Sequence, residues 1–335
     1  MKFGRSLLTV SALLLATAGA SMGQSIGYPN HPVNVIVAFP PGSPNDFIVR
    51  LIAESFNETT KQPLIAENRA GAGGNLAAEV VARAPADGYT LLATIDTVVT
   101  INPRLYKQLT FKADADLRPV IYLANTAQTL VCNPAVPVKT VAEFVAYAKS
   151  HDLSYASGGQ GTPGHLSAEL FIAQTGVKMT HVPYKGPGPA TQDVIGGQVP
   201  CGFLATPVVM PHVKSGRLNA LGVTSAKRVP IAPEVPTIAE SGVAGYEASY
   251  GEMLLVPKGT PDVIVKRLNE TISRILLQPG VRDRMLASDL EFAPNTPEEA
   301  ATRLKREAQK WSEVMNRLGL RWSCPRITGH GLFAM

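Results

Sequence analysis

A chain of 335 residues with 17% charged and 45% hydrophobic positions exceeds the usual size of a single core, excludes global disorder and predicts two domains. The formal charge of +5 is spread among acids, and no basic cluster is interleaved with aromatics, which excludes a nucleic-acid partner. No apolar run beyond the first 24 residues approaches the length that spans a bilayer.

The opening "MKFGRSLLTVSALLLATAGASMGQ" has Lys2 and Arg5, then an apolar stretch, then small residues before Gln24. That order is the pattern of a cleaved secretory signal, so residues 1–24 are predicted to be removed. No cysteine follows the small residues, which argues against a lipid anchor. Next, "VNVIVAF" is apolar and β-branched and reads as a buried strand. "FPPGSPNDFIVR" then breaks the chain with three prolines and a glycine, and Phe47, Ile48, Leu51, Ile52 and Phe56 recur at helical spacing, with Asn45 or Asp46 placed to cap the first turn. A strand, a stiff loop and a helix N-terminus present backbone N–H groups to an anion.

The alternation continues. "LIAEN" precedes "GAGGNLAAEVVARA", "YTLLATI" precedes "TVVTINPRLY", and "LSYAS" precedes "TPGHLSAELFIAQTG". After them come "KMTHVPY" with "PGPATQDVIGGQ", "VPCGFLA" with "PVVMPHVKSG", and "RLNALGVTS" with "PTIAESG". Such alternation predicts α/β architecture with parallel-rich sheets covered by helices, and ligands at the loops after strand carboxyl ends. "RPVIYLANTAQTLVCNP" and "GYEASYGEMLLVPKG" read as extended segments without a helix between, fit to cross between two lobes. The end is helical, each part opening with Thr at the N-cap and Pro at N1.

In "YASGGQGTPGHLSAELF" the amides of Gly161 through Gly164 with the Thr162 hydroxyl would form an anion seat, or else an ordinary capped helix start. His165 falls in its first turn, against a ligand or in the core. Gly71, Gly73 and Gly74 have the wrong spacing for a dinucleotide fingerprint and read as tight packing. No Gly-x-Ser-x-Gly, His-Glu-x-x-His or Cys-x-x-Cys is present, and the six histidines are dispersed, so neither metal nor triad chemistry is written here. Cys132, Cys201 and Cys324 form no framework; they read as small buried hydrophobes, with one disulfide as the alternative.

Taken together, "VAFPPGSPNDFIVR", "ENRAGAGGN", "DGYTLL", "INPRLY", "YASGGQGTPGHLSAELF", "THVPYKGPGPATQDVIGGQV" and "EVPTIAESG" resemble the substrate-binding receptors of tripartite tricarboxylate transporters, the Bug receptors, from about Tyr28 to Trp322. The resemblance implies a periplasmic binding protein of the two-lobed type II fold with crossing hinge strands. Lobe 1 would hold residues 27–125 and 247–322, lobe 2 residues 126–246, and residues 323–335 a tail. The resemblance further implies a monomer without cofactor or enzymatic activity that closes on a small organic carboxylate and delivers it to membrane permease subunits. Its rivals are a ligand sensor docking on a sensor kinase and a secreted hydrolase.

Carried over residue by residue, Pro41, Gly42, Ser43, Asn45 and Asp46 would line one wall of the cleft. Ser157, Gly161, Thr162 and His165 would line the other and hold a ligand carboxylate. Asp96, Thr97, Tyr184, Leu204, Ala205 and Glu252 would complete it. Ser43, Asp96, Glu252 and the run Phe203, Leu204, Ala205 depart from what the family commonly carries. With Asp96 and Glu252 both in the cleft, repulsion would disfavour a polyanion and favour one carboxylate with a cationic or hydroxyl-rich remainder.

Overall fold

The computed structural model describes residues 27–106, 108–288 and 290–317. The leader, the tail and Cys324 lie outside them.

In chain order the elements are β1 (Val33–Val37), α1 (Pro44–Thr60), β2 (Leu64–Asn68), a 3-10 turn at Ala72–Gly74, α2 (Asn75–Ala82), β3 (Thr90–Ile95), and the one-turn helices α3 (Thr97–Thr100), α4 (Asn102–Leu105) and α5 (Ala113–Asp116). β4 (Leu117–Cys132) leads to α6 (Val141–Ser150), β5 (Leu153–Ser157), α7 (Pro163–Thr175), β6 (Met179–Pro183), α8 (Pro187–Ile195), β7 (Cys201–Ala205), α9 (Thr206–Lys214) and β8 (Asn219–Val223). β9 (Ser249–Pro257) returns, followed by α10 (Asp262–Leu276), α11 (Pro279–Ala287) and α12 (Pro297–Arg317).

The strand order is β2-β1-β3-β9-β4-β7-β5-β6, with β8 also on β4. Pairing is parallel at both ends, β2-β1-β3 and β7-β5-β6, and antiparallel around β4 and β9. β4 belongs to both halves. Its residues Leu117 to Ala127 pair with β9, and Gln128 to Cys132 pair with β7. The two long extended segments of the sequence are thus the two crossing strands of a two-lobed fold.

Each half has its own core. Ile48, Ile52 and Phe56 of α1 pack with Val35, Leu91, Leu254 and Ile272 in one. Phe144, Tyr155, Phe171 and Phe203 pack in the other. α12 joins the two, because its Ala300 lies in a cluster with Tyr122 and Met253 of the first half while its Trp311 stacks on Tyr250 with ring centroids 5.4 Å apart.

Several expectations need correction. α1 is capped by Ser43, whose Oγ accepts from the Asp46 amide, so Asn45 and Asp46 lie inside the first turn. Thr260 does not cap α10; its hydroxyl donates to the Pro257 carbonyl and Pro261 takes the cap position. Thr296 does cap α12, accepting from the Glu299 amide while Glu299 accepts from the Thr296 amide. "PTIAESG" is no helix. The same reciprocal Thr237 and Glu240 box starts a turn there, but Gly242 at φ 104° ends it after Ser241, and Thr237 bridges to Val223. Helix α6 was not anticipated, although Thr140 accepting from the Glu143 amide marks its start. Finally, Cys132 and Cys201, directly paired on β4 and β7, are joined by a disulfide rather than standing as free hydrophobes.

Candidate functional site

Two strand-loop-helix units meet across a cleft between the halves. From the first, Phe39, Ser43, Pro44 and Asn45 line it; from the second, Gly158, Thr162, Pro163 and Gly164. Ile95, Thr126, Gln128, Pro187, Leu204, Ala205 and Glu252 complete the wall. The N-termini of α1 and α7 therefore face one space, each with a proline in its first turn. Proline spends no donor there, and the remaining first-turn amides have no intrahelical acceptor.

The cleft is narrow. It spans about 440 Å³ of empty space, open solvent included. The halves touch at its rim, where the Tyr106 hydroxyl donates to the Gln160 carbonyl at 2.9 Å. Pro40 lies so close to Gly186 that a Cβ on the glycine would clash with its ring.

The loop into α1 is held from behind. Asp46 accepts from the Gly42 amide at 2.9 Å, the Arg50 guanidinium at 2.9 Å and the Asn68 amide at 2.8 Å. Burial pulls its pKa up, but the Arg50, Gly42 and Asn68 bonds outweigh that and hold it below the usual range. Asp46 and Gly42 thus satisfy each other, and Pro41 and Gly42 are exposed at the mouth rather than on the wall.

The loop into α7 is held the same way. The Gly161 amide donates to His165 Nδ1 at 3.0 Å, and the Thr162 hydroxyl donates to the Gly159 carbonyl at 2.7 Å. The expected seat of Gly161 amide and Thr162 hydroxyl is therefore already spent on the loop itself. Gly164 remains as an amide at the wall. His165 is fully buried and stacked on His181 with centroids 4.2 Å apart. Burial, then the neighbouring His181, lowers its pKa well below 6.5, so it is neutral and, accepting at Nδ1, carries its proton on Nε2.

Of the other residues expected at the cleft, Ser43, Asn45, Thr162, Leu204, Ala205 and Glu252 line it. Thr97 is buried off the wall, and Tyr184 donates to Asp193 at 2.6 Å beside it. Ser157 lies beneath the loop, bonding Gly159 and, at 2.7 Å, His181 Nε2. That serine–histidine pair is sealed, since Ser157 is 0% exposed, so it offers no nucleophile to the cleft. No group of three or more His, Cys, Asp or Glu among the described residues could hold a metal ion.

Asp96 is the main correction. Ile95 faces the cleft and pairs with Glu252, so the next residue turns to the other face of the sheet. There Asp96 accepts from the Gly251 amide at 2.9 Å, among Tyr122, Arg303, Glu307 and Lys310. Glu252 does face the cleft, but burial and then Asp96 push its pKa up to about 8. That shift favours the protonated form, which weakens the expected repulsion of a polyanion.

Phe39, Ile95, Thr126, Gln128 and Pro187 were missed by sequence reasoning. Thr126 and Gln128 sit on alternate positions of β4 where it changes partners, a period-2 signal available once that run is read as a crossing strand.

Gly164 tests the site's packing. A Cβ there would fall inside contact distance of the Phe203 carbonyl oxygen on β7 and 3.2 Å from Ser157 Cβ. Alanine favours a helix by about 1 kcal/mol over glycine, so without this clash Gly164→Ala would stabilise. The expected outcome is instead a loss of about 1–3 kcal/mol in urea denaturation. A variant as stable as the parent would show that α7 does not dock this closely on β7.

Residues 48–320 match the family described as tripartite tricarboxylate transporter family receptor. BugT of Bordetella pertussis is 33% identical over 317 residues, 93% of this chain and 97% of BugT. Among solved structures, R. palustris Rpa4515 with adipate is 34% identical at TM-score 0.84, covering 87% of this chain and 98% of that one. MatC from Rhodopseudomonas palustris with bound malate is 33% identical at TM-score 0.81, covering 86% and 99%. The periplasmic binding protein BugD is 32% identical at TM-score 0.83, covering 88% and 100%.

Proposed function

The chain belongs to the tripartite tricarboxylate transporter receptor family, and from that premise we propose that it is a periplasmic receptor which captures a small organic carboxylate between its lobes and hands it to the transporter's permease subunits. The family is one of binding proteins, not enzymes. The single observation that carries the ligand class is the meeting of two helix N-termini, at Ser43–Asn45 and Thr162–Gly164, in one cleft whose wall has neither Lys nor Arg among the described residues. Two such ends supply partial positive charge of about +0.5 each, enough to favour one carboxylate without a cation. Hydrogen bonds to a charged group are worth about 1.5–3 kcal/mol each. A micromolar complex needs about 8 kcal/mol, which a few such bonds supply. Adipate and malate, bound by two relatives, support the class.

On this reading β4 passes from lobe 1 to lobe 2 where its pairing switches from β9 to β7, between Ala127 and Gln128, two residues beyond the expected boundary at 125/126. Hinge closure about these crossing strands would bring the two walls onto the ligand. The disulfide supports an oxidising compartment such as the periplasm. No helix among the described residues is long and apolar enough to cross a membrane.

Calorimetry with succinate, malate, glutarate, adipate and hexanoate tests the reading. At least one should bind with a Kd near or below about 1 μM, the range expected of a capture receptor. Folded protein that binds none of them, while binding neutral sugars or cations, overturns it.

A further inference from the structure

Glu252 presents a group that the carboxylate seat does not use. It is 2% exposed, lies on β9 opposite Ile95 of β3 and Ala124 of β4, and lines the cleft. Its Oε1 accepts from the Thr126 hydroxyl at 3.3 Å. Its Oε2 is buried with no hydrogen-bond partner among the described residues.

The groups packed around it leave the carboxyl without a counter-charge. From α1 comes the Asn45 side chain, whose Nδ2 donates to the Thr94 carbonyl at 3.2 Å and which lies close enough to the carboxyl to lower its pKa. From β4 comes the Thr126 hydroxyl. From the end of β3 comes a second buried carboxyl, Asp96, and the charges of α12, Arg303, Glu307 and Lys310, act on Asp96 behind the sheet. A carboxyl so placed keeps its proton near neutrality, in line with a pKa pushed up to about 8, first by burial and then by Asp96. Because Oε1 is the acceptor for Thr126, the proton belongs on Oε2. The result is an O–H donor on a cleft residue with no acceptor among the described residues, an arrangement that a bound oxygen would satisfy.

We infer that the Oε2–H of Glu252 is the donor for the far end of the ligand, so that the cleft selects a small dicarboxylate: one carboxylate at the helix N-termini, the second against Glu252. This rests on the carboxylate-receptor reading above. Two helix ends balance about one negative charge, and a second carboxylate in the same narrow space needs a donor rather than another anion. An ionised acceptor makes the shorter and stronger bond with an O–H, which favours a carboxylate over a neutral carbonyl or hydroxyl. Ionisation of Glu252 at high pH removes the donor and adds a repelling charge, so capture of the dicarboxylate weakens there.

Calorimetry on the full protein tests this, with succinate, glutarate and adipate against butyrate and hexanoate, in two buffers of different ionisation enthalpy. The best dicarboxylate should bind more tightly than either mono-acid at pH 7. Its affinity should fall about tenfold between pH 7 and pH 9, with uptake of about half a proton per site at pH 8. Glu252→Gln replaces the O–H by an amide donor that does not titrate, so its dicarboxylate binding should lose the pH dependence. Glu252→Leu should lose at least about tenfold for the dicarboxylate relative to hexanoate, the cost of one unmade charged bond. Equal affinity at pH 7 and pH 9, an unchanged pH fall in Glu252→Gln, or a parent preference for the mono-acids overturns the role of Glu252. Failure of every carboxylate, mono- or di-, at every pH instead overturns the receptor reading on which it rests.

Discussion

Replacing Cys132 and Cys201 together by alanine is expected to lower unfolding stability by about 4 kcal/mol. The cysteines are 69 residues apart in sequence and both fully buried. Cross-linking across a loop of that length removes unfolded-state entropy worth about 4 kcal/mol in the chain-entropy account, between about 3 for a 15-residue loop and about 4.7 for 100. The bond pins β7 to β4 at the end of their paired run, and β7 carries Leu204 and Ala205 to the cleft a few residues on. Cys324→Ala serves as the common background, so that no third thiol can exchange. Urea denaturation of that background with and without reductant should give midpoints that differ, and the Cys132→Ala/Cys201→Ala protein should match the reduced one and ignore reductant. Coincident midpoints for oxidised and fully reduced protein would show that the bridge adds nothing to folding.

The parts of this fold that proline and glycine punctuate were legible in the sequence. Val33–Val37, the break at Pro40–Pro41 and the helix from Pro44 form a unit because proline cannot continue a ladder yet suits the first helical turn, and the same logic located Leu153–Ser157 and the helix from Pro163. The crossing strands were legible because no helical period interrupts Leu117–Cys132 or Ser249–Pro257. Direction was harder to read. Asp46, His165 and Ser157 stand beside the cleft in sequence but turn backwards to hold the loops, because a buried loop must satisfy its own amides before it can offer any to a ligand. "PTIAESG" carries the capping signal of a helix without the apolar period to extend one. The Cys132–Cys201 bridge depends on which strands lie side by side, and spacing along the chain does not carry that information.

The alternation that sends Glu252 to the cleft and Asp96 to the far face also sets how the fold responds to pH. Asp96 is 3% exposed. Burial raises its pKa from 3.8 to about 7, against the Gly251 amide bond that lowers it; Glu307 raises it further, and Arg303 and Lys310 lower it. Between those two pH values the folded protein binds more protons than the unfolded chain, so stability is fully present below about pH 4 and is lost as pH rises through about 7. Glu252, raised from 4.5 to about 8, works in the same direction. The two interact and titrate as a pair, so removal of one changes the other. Asp96→Asn keeps an oxygen for the Gly251 amide but cannot ionise. Relative to the parent it should gain about 2–4 kcal/mol between pH 5 and pH 8, three pKa units being worth about 4 kcal/mol at most. The check is urea denaturation of both proteins at several values across that range, with the difference in unfolding free energy plotted against pH. A difference that stays level would mean that Asp96 is ionised throughout and reaches solvent or a cation, and its placement beneath β9 would fall with it.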